Sequence, residues 1–320
     1  MQIAVLAIDG VFDTGLATVL DAFNTANELA DLLGLTTPGF DIRLVSTTPQ
    51  PSSALGMLIP ARDAGEVGRP DWVIVPALGC KMPDPLIAAL GRADVGTAIG
   101  ALRWWADGGA SIAAACVGTF VLAESGLLDG HEATTTWWLT PLFRERYRDV
   151  RLDADRLIVP SGRHLTAGAA LSHVDLALWL IRGVSPELAG LVANYLIVDS
   201  RPSQWAYVIS DHLAHADPLV QRFDRWVRER LGCAFVLDEI AGDLATTKRT
   251  LTRRIRQATG KSPLSYVRDL RIERAVHLLK TSRQSVEAIA ADVGYSDGVT
   301  LRTLLRRRLG KGVRELRGLA

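Results

Sequence analysis

Two stretches of the chain, residues 251–261 (LTRRIRQATGK) and residues 301–311 (LRTLLRRRLGK), carry the same pattern of leucine, arginine and Gly-Lys. In both stretches the first leucine precedes the glycine by nine residues, and the two copies lie fifty positions apart. Each copy follows a short apolar segment, which contains Ile240-Ala241 in the first and Ile289-Ala290 in the second. A repeat with this period indicates one supersecondary unit that is used twice.

The first copy is predicted to form a helix-turn-helix. Asp238 can cap the first helix by accepting its early N–H groups, and residues 243–247 supply the turn. Leu251 and Ile255, four residues apart, then form a narrow apolar stripe along the second helix. Lysine, arginine and threonine side chains occupy the rest of that helix, so it buries one face and presents a cationic one.

The second copy is predicted to follow the same plan. Ser285 can cap its first helix, residues 294–298 form the turn, and the leucines at positions 301, 304 and 305 form the buried stripe. A connecting segment begins at Ser262-Pro263, where serine can cap a helix and proline suits its first position. Helical spacing continues to about Lys280, which predicts a rod roughly 25 Å long.

Charge is distributed unevenly along the chain. Residues 211–320 contain 22 Lys and Arg against 13 Asp and Glu, whereas residues 1–210 contain 14 against 22. The net charge of +1 for the whole chain therefore conceals a basic C-terminal part. A basic surface of this kind is typical of a phosphate binder, while a solvated face usually mixes both signs.

These C-terminal residues resemble the AraC-type regulators, whose DNA-binding domain has two helix-turn-helix units joined by one long helix. The resemblance rests on residues 260–266 (GKSPLSY), on Leu270-Arg271-Ile272 and on Val293-Gly294-Tyr295. It implies that the connecting helix places two reading helices, the second helix of each helix-turn-helix unit, in successive major grooves about 34 Å apart. The expected DNA contacts are Lys248, Arg249, Thr252, Arg253, Arg256, Thr300, Arg302, Arg306 and Arg307.

The second copy departs from the family pattern. Thr303 stands where the family usually has an arginine, and Leu305 stands where it has phenylalanine. Gly298 and Val299 open its second helix without a side chain that can hydrogen-bond a base edge. We therefore expect the first reading helix to determine most of the sequence specificity and the second to contact mainly phosphates.

The first two hundred residues alternate between strand-like and helix-like segments. Strand candidates lie at residues 3–8, 40–45, 72–76 and 111–115, with a late hairpin at 157–166, and residues 86–105 have helical spacing. This alternation predicts a mostly parallel sheet sandwiched by helices. The expected fold class is therefore an α/β, flavodoxin-like N-terminal domain followed by an all-α C-terminal domain.

Cys116 lies between an apolar strand and a helix, in the stretch Ala115-Cys116-Val117-Gly118. Its sulfur is expected near the helix N-terminus, where the dipole lowers a thiol pKa, at the edge of the sheet where open α/β folds bind ligands. Residues 115–130 resemble the nucleophile-elbow region of the class I glutamine-amidotransferase-like superfamily, and most of all its PfpI-type sensor domains.

Catalysis in that superfamily pairs the cysteine with a histidine, which would follow Thr134-Thr135. Thr136 stands there instead, and threonine cannot act as a base near neutral pH. The family's carboxylate is expected near Gly15, with Asp13 two residues away, and the histidines at 131, 164 and 173 have no motif support. The sequence therefore predicts no catalytic residue, metal or cofactor, but a ligand pocket formed by Asp13, Gly79, Cys116, Val117, Thr136 and Trp137. A buried filler role for the cysteine remains the alternative.

The length of 320 residues suits two domains, predicted as a sensor at 1–200, a linker at 201–217 and a DNA-binding domain at 218–320. No signal peptide or membrane-spanning run is recognisable, and three widely spaced cysteines favour reduced thiols in a cytoplasm. The leading hypothesis is a cytoplasmic, homodimeric transcriptional regulator that responds to an unknown small molecule. The rivals are a cysteine hydrolase or hydratase tethered to nucleic acid and an architectural DNA binder without a ligand.

Overall fold

The computed structural model describes residues 1–198 and 217–317. The chain divides into two compact units, Met1–Gln204 and Trp205–Ala320. Of the expected linker, 201–217, only Asp217 lies within the described residues, so the domain limits stay a prediction.

The N-terminal unit is built on a seven-stranded sheet with the order β3-β2-β1-β4-β5-β9-β8. All neighbouring strands run parallel except β8 and β9, which form the expected antiparallel hairpin. Two further strands, β6 and β7, pair separately. The strands are β1 Gln2–Leu6, β2 Asp41–Ser46, β3 Arg62–Asp63, β4 Trp72–Val75, β5 Ser111–Ala115, β6 Glu132–Ala133, β7 Arg151–Leu152, β8 Ile158–Ser161 and β9 His164–Ala167.

Helices cover both faces of this sheet. Successive residues of β1 enter opposite cores, because side chains alternate along a strand: Ala4 and Leu6 belong to one apolar cluster, and Ile3 and Val5 to the other. The expected sandwich of helices around a mostly parallel sheet is thus confirmed. The helices are α1 Asp13–Leu32, α2 Pro83–Leu90, α3 Ala93–Asp107, α4 Gly118–Glu124, α5 Thr140–Arg146, α6 Ser172–Val184 and α7 Pro186–Tyr195.

The helical segment expected at 86–105 is wrong in one respect, since α2 and α3 are separate helices bent by 67°. Arg92, between them, donates to Asp9 O over 2.5 Å and pairs with Asp94 over 2.7 Å. These contacts hold the break, which the periodicity of the apolar residues does not reveal. No single helix of the described residues is long and apolar enough to span a bilayer, although α2 and α3 pass that test as a bent pair.

The C-terminal unit is helical and contains both predicted helix-turn-helix units. Helices α9 and α10 form the first unit, α11 connects, and α12 and α13 form the second. The helices are α8 Pro218–Arg228, α9 Leu237–Asp243, α10 Lys248–Thr259, α11 Pro263–Thr281, α12 Val286–Asp292, α13 Gly298–Leu309 and α14 Val313–Leu316.

The fifty-residue repeat of the sequence is matched by repeated helix ends. Thr247 caps α10 by accepting from Thr250 N, and Asp297 caps α13 by accepting from Thr300 N. Gly260 and Gly310 end these helices in the left-handed conformation, with φ of 71° and 69°. A residue without a Cβ adopts that conformation at little cost, which explains the glycine of each repeat.

Two of the three predicted caps are confirmed. Ser262 caps α11 and Ser285 caps α12, each through its side chain. The prediction for Asp238 is wrong, because α9 begins at Leu237 and has Val236 at its N-cap. The Asp238 carboxylate instead pairs with Lys248 over 3.0 Å.

The connecting helix α11 belongs to both small cores of the C-terminal unit. Tyr266, Val267 and Leu270 pack in the core of the first helix-turn-helix with α8 to α10. Ile272 and Ala275 pack in the core of the second with α12 to α14. Its 19 residues correspond to about 28 Å, close to the length expected from the sequence.

Candidate nucleic-acid interface and N-terminal pocket

The first reading helix, α10, buries one stripe and exposes cations. Leu251 and Ile255 are fully buried, whereas Arg249, Arg253 and Arg256 are exposed. Among the described residues, no carboxylate lies within ion-pair distance of these three arginines. They can therefore meet an incoming anion without breaking an existing pair. The other two predicted contacts on this helix are Lys248, which is exposed and held by Asp238, and Thr252, which is half-buried.

The second reading helix, α13, has a different charge pattern. Arg302 is paired with Glu287 of α12 over 2.8 Å, and the Thr300 hydroxyl donates to Asp297 over 3.0 Å. Arg306 and Arg307 are exposed and have no carboxylate partner among the described residues. Positive charge available to a ligand thus lies in the C-terminal half of α13.

A groove of about 890 Å³ opens beside this half of α13. Four of its eight lining residues are arginines, Arg302, Arg306 and Arg307 of α13 and Arg314 of α14, and the others include Thr303 and Glu315. Arg314 was not among the contacts predicted from the sequence. Its place becomes visible only when α14 folds back on α13, so spacing along the chain gives no signal for it.

A buried carboxylate ties the second reading helix to the connecting helix. Asp269 of α11 is 4% exposed and pairs with Lys261 over 2.7 Å and with Arg308 over 3.1 Å. Lys261 follows the end of α10, while Arg308 lies on α13. One carboxylate of α11 therefore joins the residue that follows α10 to the C-terminal half of α13.

In the N-terminal unit, Cys116 occupies a strained turn between β5 and α4. Its φ of 55° is in the left-handed region that non-glycine residues rarely adopt. Its N–H donates to Ala167 O over 2.8 Å, so β9 holds the turn. A Cβ at Gly118 would lie 2.7 Å from Pro76 O, and the end of β4 therefore packs directly on the elbow. The expected sharp strand-to-helix turn is confirmed.

The expectation of a lowered thiol pKa is wrong. Burial raises the pKa of Cys116 to about 12, because only 3% of the residue is exposed. The Val117 N–H and the nearby Thr136 hydroxyl lower this pKa by a smaller amount. Desolvation of the thiolate outweighs these contacts, so the sulfur stays protonated near neutral pH.

Three consecutive threonines, all fully buried, pass behind the elbow. Thr134 Oγ1 donates to Arg156 O over 2.9 Å, and Thr135 Oγ1 donates to Cys116 O over 2.8 Å. The Thr136 hydroxyl lowers the pKa of the thiol, yet its buried Oγ1 has no hydrogen-bond partner among the described residues. Threonine at the position of the family's histidine cannot accept a proton near neutral pH.

Of the remaining predicted pocket residues, Gly79 lies on the loop after β4, Asp13 begins α1 and Trp137 begins a short 3-10 helix. The Gly79 N–H donates to Gly10 O over 2.8 Å, which joins the loops after β4 and β1. Asp13 Oδ2 accepts from Leu55 N over 3.2 Å, and its buried Oδ1 has no partner among the described residues. Trp137 packs edge-on against Trp138. Contact with Cys116 itself is established for Val117, Thr135 and Thr136.

His173 packs against Gly15, near which the family's carboxylate was expected. A Cβ at Gly15 would lie 2.6 Å from His173 Nε2, so no larger residue fits there without rearrangement. His173 Nε2 accepts from Ala77 N over 3.1 Å, while Nδ1 lies 2.6 Å from Ala170 O and donates to it. Burial lowers the pKa of His173 to about 4, so the ring is neutral with both nitrogens engaged.

The other two histidines lie together, away from the elbow. The His131 and His164 rings pack edge-on with centroids 4.8 Å apart, and His131 Nδ1 contacts Ser161 Oγ at 3.2 Å. His131 is half-buried. No histidine among the described residues forms a hydrogen bond with the Cys116 sulfur.

Known proteins match both parts of this architecture. Residues 240–318 match the family described as a helix-turn-helix domain. The transcriptional regulator ArgR of Pseudomonas aeruginosa is 29% identical over 235 residues, which are 72% of this chain and 71% of ArgR. The chain is thus similar in sequence to transcriptional regulators, and most specifically so in its C-terminal helix-turn-helix part. GbdR, another regulator of Pseudomonas aeruginosa, is 26% identical over 58% of this chain and 52% of its own.

The N-terminal fold also has a solved counterpart. An AraC family transcriptional regulator from Pseudomonas putida superposes with a TM-score of 0.51 at 18% identity. The match covers 61% of this chain and 98% of that one, which is more than the C-terminal unit alone can supply. The likeness shows a shared fold, and it agrees with the PfpI-type resemblance of the elbow region.

Proposed function

We propose that this AraC-type regulator controls transcription by binding duplex DNA with α10 and α13, while its N-terminal unit binds a small-molecule effector without catalysis. The observation that carries the DNA-binding part is the pair of matched helix-turn-helix units, each with exposed arginines on its second helix. The proposed protein is cytoplasmic and a homodimer, with a sensor at 1–200, a linker at 201–217 and a DNA-binding domain at 218–320.

In this proposal the first reading helix recognises base edges. Lys248, Arg249, Thr252 and Arg253 lie at its N-terminal end, which a helix-turn-helix directs at the major groove. Arginine suits guanine because it can donate to O6 and N7 together. Arg256, Arg302, Arg306 and Arg307 are assigned to phosphates, which position the protein but carry no sequence information.

The sensor part of the proposal is supported by the chemistry around Cys116. The thiol is protonated near neutral pH, and the position of the family's base is occupied by Thr136. The tethered hydrolase or hydratase is therefore not favoured. An effector that binds near Cys116 would favour one arrangement of the sensor domains in the dimer and so change the spacing of the reading helices on DNA.

The DNA-binding assignment is tested with DNA fragments selected by the purified full chain. Arg253→Ala should weaken binding to a selected site by about 1–3 kcal/mol and relax the preference at one position, whereas Arg306→Ala should weaken binding to all sequences alike. Affinity should fall steeply as salt is added, because phosphate contacts release counterions. Equal affinity of Arg253→Ala and the parent for the selected site would refute the assignment.

The non-catalytic assignment is tested with amide and isocyanide substrates. The parent protein and Cys116→Ser should both show only background turnover. Turnover by the parent that disappears in Cys116→Ser would establish the rival cysteine enzyme. A thermal-shift screen then searches for the effector, and a hit should raise the melting temperature of the parent. If no compound stabilises the parent and none alters DNA binding, an architectural DNA binder without a ligand is favoured.

A further inference from the structure

The first two turns of α13 present three β-branched side chains, Val299, Thr300 and Thr303, all of them exposed. Val299, at 68%, is the most exposed large apolar side chain among the described residues of the C-terminal unit. A single exposed valine is ordinary on a protein surface. A group of three methyl-bearing side chains at the end of a helix that should enter the major groove is not ordinary.

The two threonine hydroxyls are engaged inside the protein. Thr300 Oγ1 donates to Asp297 Oδ2 over 3.0 Å, and Thr303 Oγ1 donates to the carbonyl of Val299 over 3.0 Å. Each hydroxyl proton is therefore already used within α13 and its cap. What this surface retains for a ligand is the methyl groups of the two threonines and of Val299.

Carboxylates lie at the same end of α13. Asp297 accepts from Thr300 N over 2.7 Å. The Glu287 carboxylate pairs with Arg302 over 2.8 Å and would lie 2.8 Å from a Cβ at Gly298. Asp297 and Glu287 thus add negative charge beside the first turn of α13, whereas the arginine-lined groove begins at Arg302 and Thr303 in the second turn and extends to the C-terminal end. Phosphates are therefore better accommodated beside Arg306 and Arg307, and Val299 in the first turn stays available for contact with a base.

We propose that Val299, assisted by the methyl groups of Thr300 and Thr303, recognises the C5-methyl groups of thymine in the part of the DNA site that α13 contacts. The proposal rests on the proposed DNA-binding function and assigns Val299 as a specificity-determining residue. Apolar contact is the means by which side chains distinguish thymine in the major groove. Burial of one methyl group corresponds to about a fourfold gain in affinity.

The test begins with selection of binding sites from random DNA by the full chain and by Val299→Ala. We expect one or two positions at which the parent prefers thymine and the variant does not. Deoxyuridine, which lacks only the methyl group, is then placed at those positions. The parent should lose about fourfold in affinity per contacted methyl, and Val299→Ala should lose almost nothing further.

Val236→Ala is the matched control, because Val236 is also an exposed valine of this unit but precedes α9. It should retain the full penalty for deoxyuridine. The role of Val299 is overturned if the parent binds deoxyuridine and thymine equally, or if Val299→Ala weakens both to the same extent. A site with an Arg253-dependent position but no Val299-dependent thymine overturns only this proposal. A chain that selects no sequence at all overturns the proposed function as well.

Discussion

The contact between Gly15 and His173 predicts that Gly15→Ala destabilises the parent protein but stabilises a variant that lacks the His173 imidazole. In the parent, Gly15→Ala places a methyl group 2.6 Å from His173 Nε2, well inside van der Waals distance. Overpacking of this kind costs about 1–3 kcal/mol. The helix gains up to about 1 kcal/mol, because alanine suits the helix interior better than glycine. We therefore expect a net loss of up to about 3 kcal/mol.

In a His173→Ala background the same change should stabilise the protein. The imidazole is then absent, so only the helix-propensity gain of up to about 1 kcal/mol remains. His173→Ala alone should destabilise, since it leaves the buried Ala77 N–H without its acceptor at a cost of about 1–3 kcal/mol. The double-mutant cycle isolates the clash as a coupling energy.

Urea unfolding followed by tryptophan fluorescence measures these differences, because six of the eight tryptophans precede residue 199. Gly100→Ala is the matched control. Gly100 lies within α3, and a Cβ there would meet nothing within 4 Å, so the change should stabilise in both backgrounds. Equal effects of Gly15→Ala with and without His173 would refute the reasoning.

Three further predictions concern single groups. Ala245, in the turn of the first helix-turn-helix, has a φ of 51°, which is in the left-handed region that favours glycine. Ala245→Gly should therefore raise the free energy of unfolding of the C-terminal unit by about 1 kcal/mol. Calorimetry measures this change, and destabilisation would contradict the prediction. Alkylation at neutral pH, followed by mass spectrometry, should label exposed Cys233 before half-buried Cys80 and leave Cys116 until last; early labelling of Cys116 would show that its thiolate is accessible. Burial lowers the pKa of His164 and of His173 to about 4 from 6.5, so the unfolded state binds more protons between these values. Stability should be fully present above about pH 6.5, fall by a few kcal/mol toward pH 4 and then level off; unfolding curves from pH 7 to 4 measure this loss, which should shrink in His173→Gln.

The fifty-residue repeat allowed the two reading helices to be predicted from the local sequence. The spacing of Leu251 and Leu301 from their glycines predicts two helices of equal length, and the caps at Thr247 and Asp297 agree with it. Asp238 was misassigned because a capping residue and a first-turn acid look alike in sequence, and both are favourable at a helix start. The actual start was decided by how the apolar stripe of α9 packs, with Ile240 fully buried.

The turn at Cys116 could be predicted from the local sequence, but its electrostatic surroundings could not. The motif around Cys116 and the threonine at 136 predict a sharp turn without its base, and the turn is present. The direction of the thiol pKa was wrong because the helix dipole acts locally, while desolvation depends on every neighbour that excludes water. His173 carries no motif, since its place against Gly15 joins residues 158 positions apart in the chain.

Apolar periodicity, turn residues and charge along the chain were enough to establish an α/β half, two helix-turn-helix units and a basic partner surface. These features depend on neighbours within a few residues, so a linear pattern records them. Which arginines remain unpaired, which end of α13 is anionic and whether the thiol ionises depend on groups brought together by folding. Electrostatic and desolvation energies are set by distance in space, and the order of residues along the chain does not contain that distance.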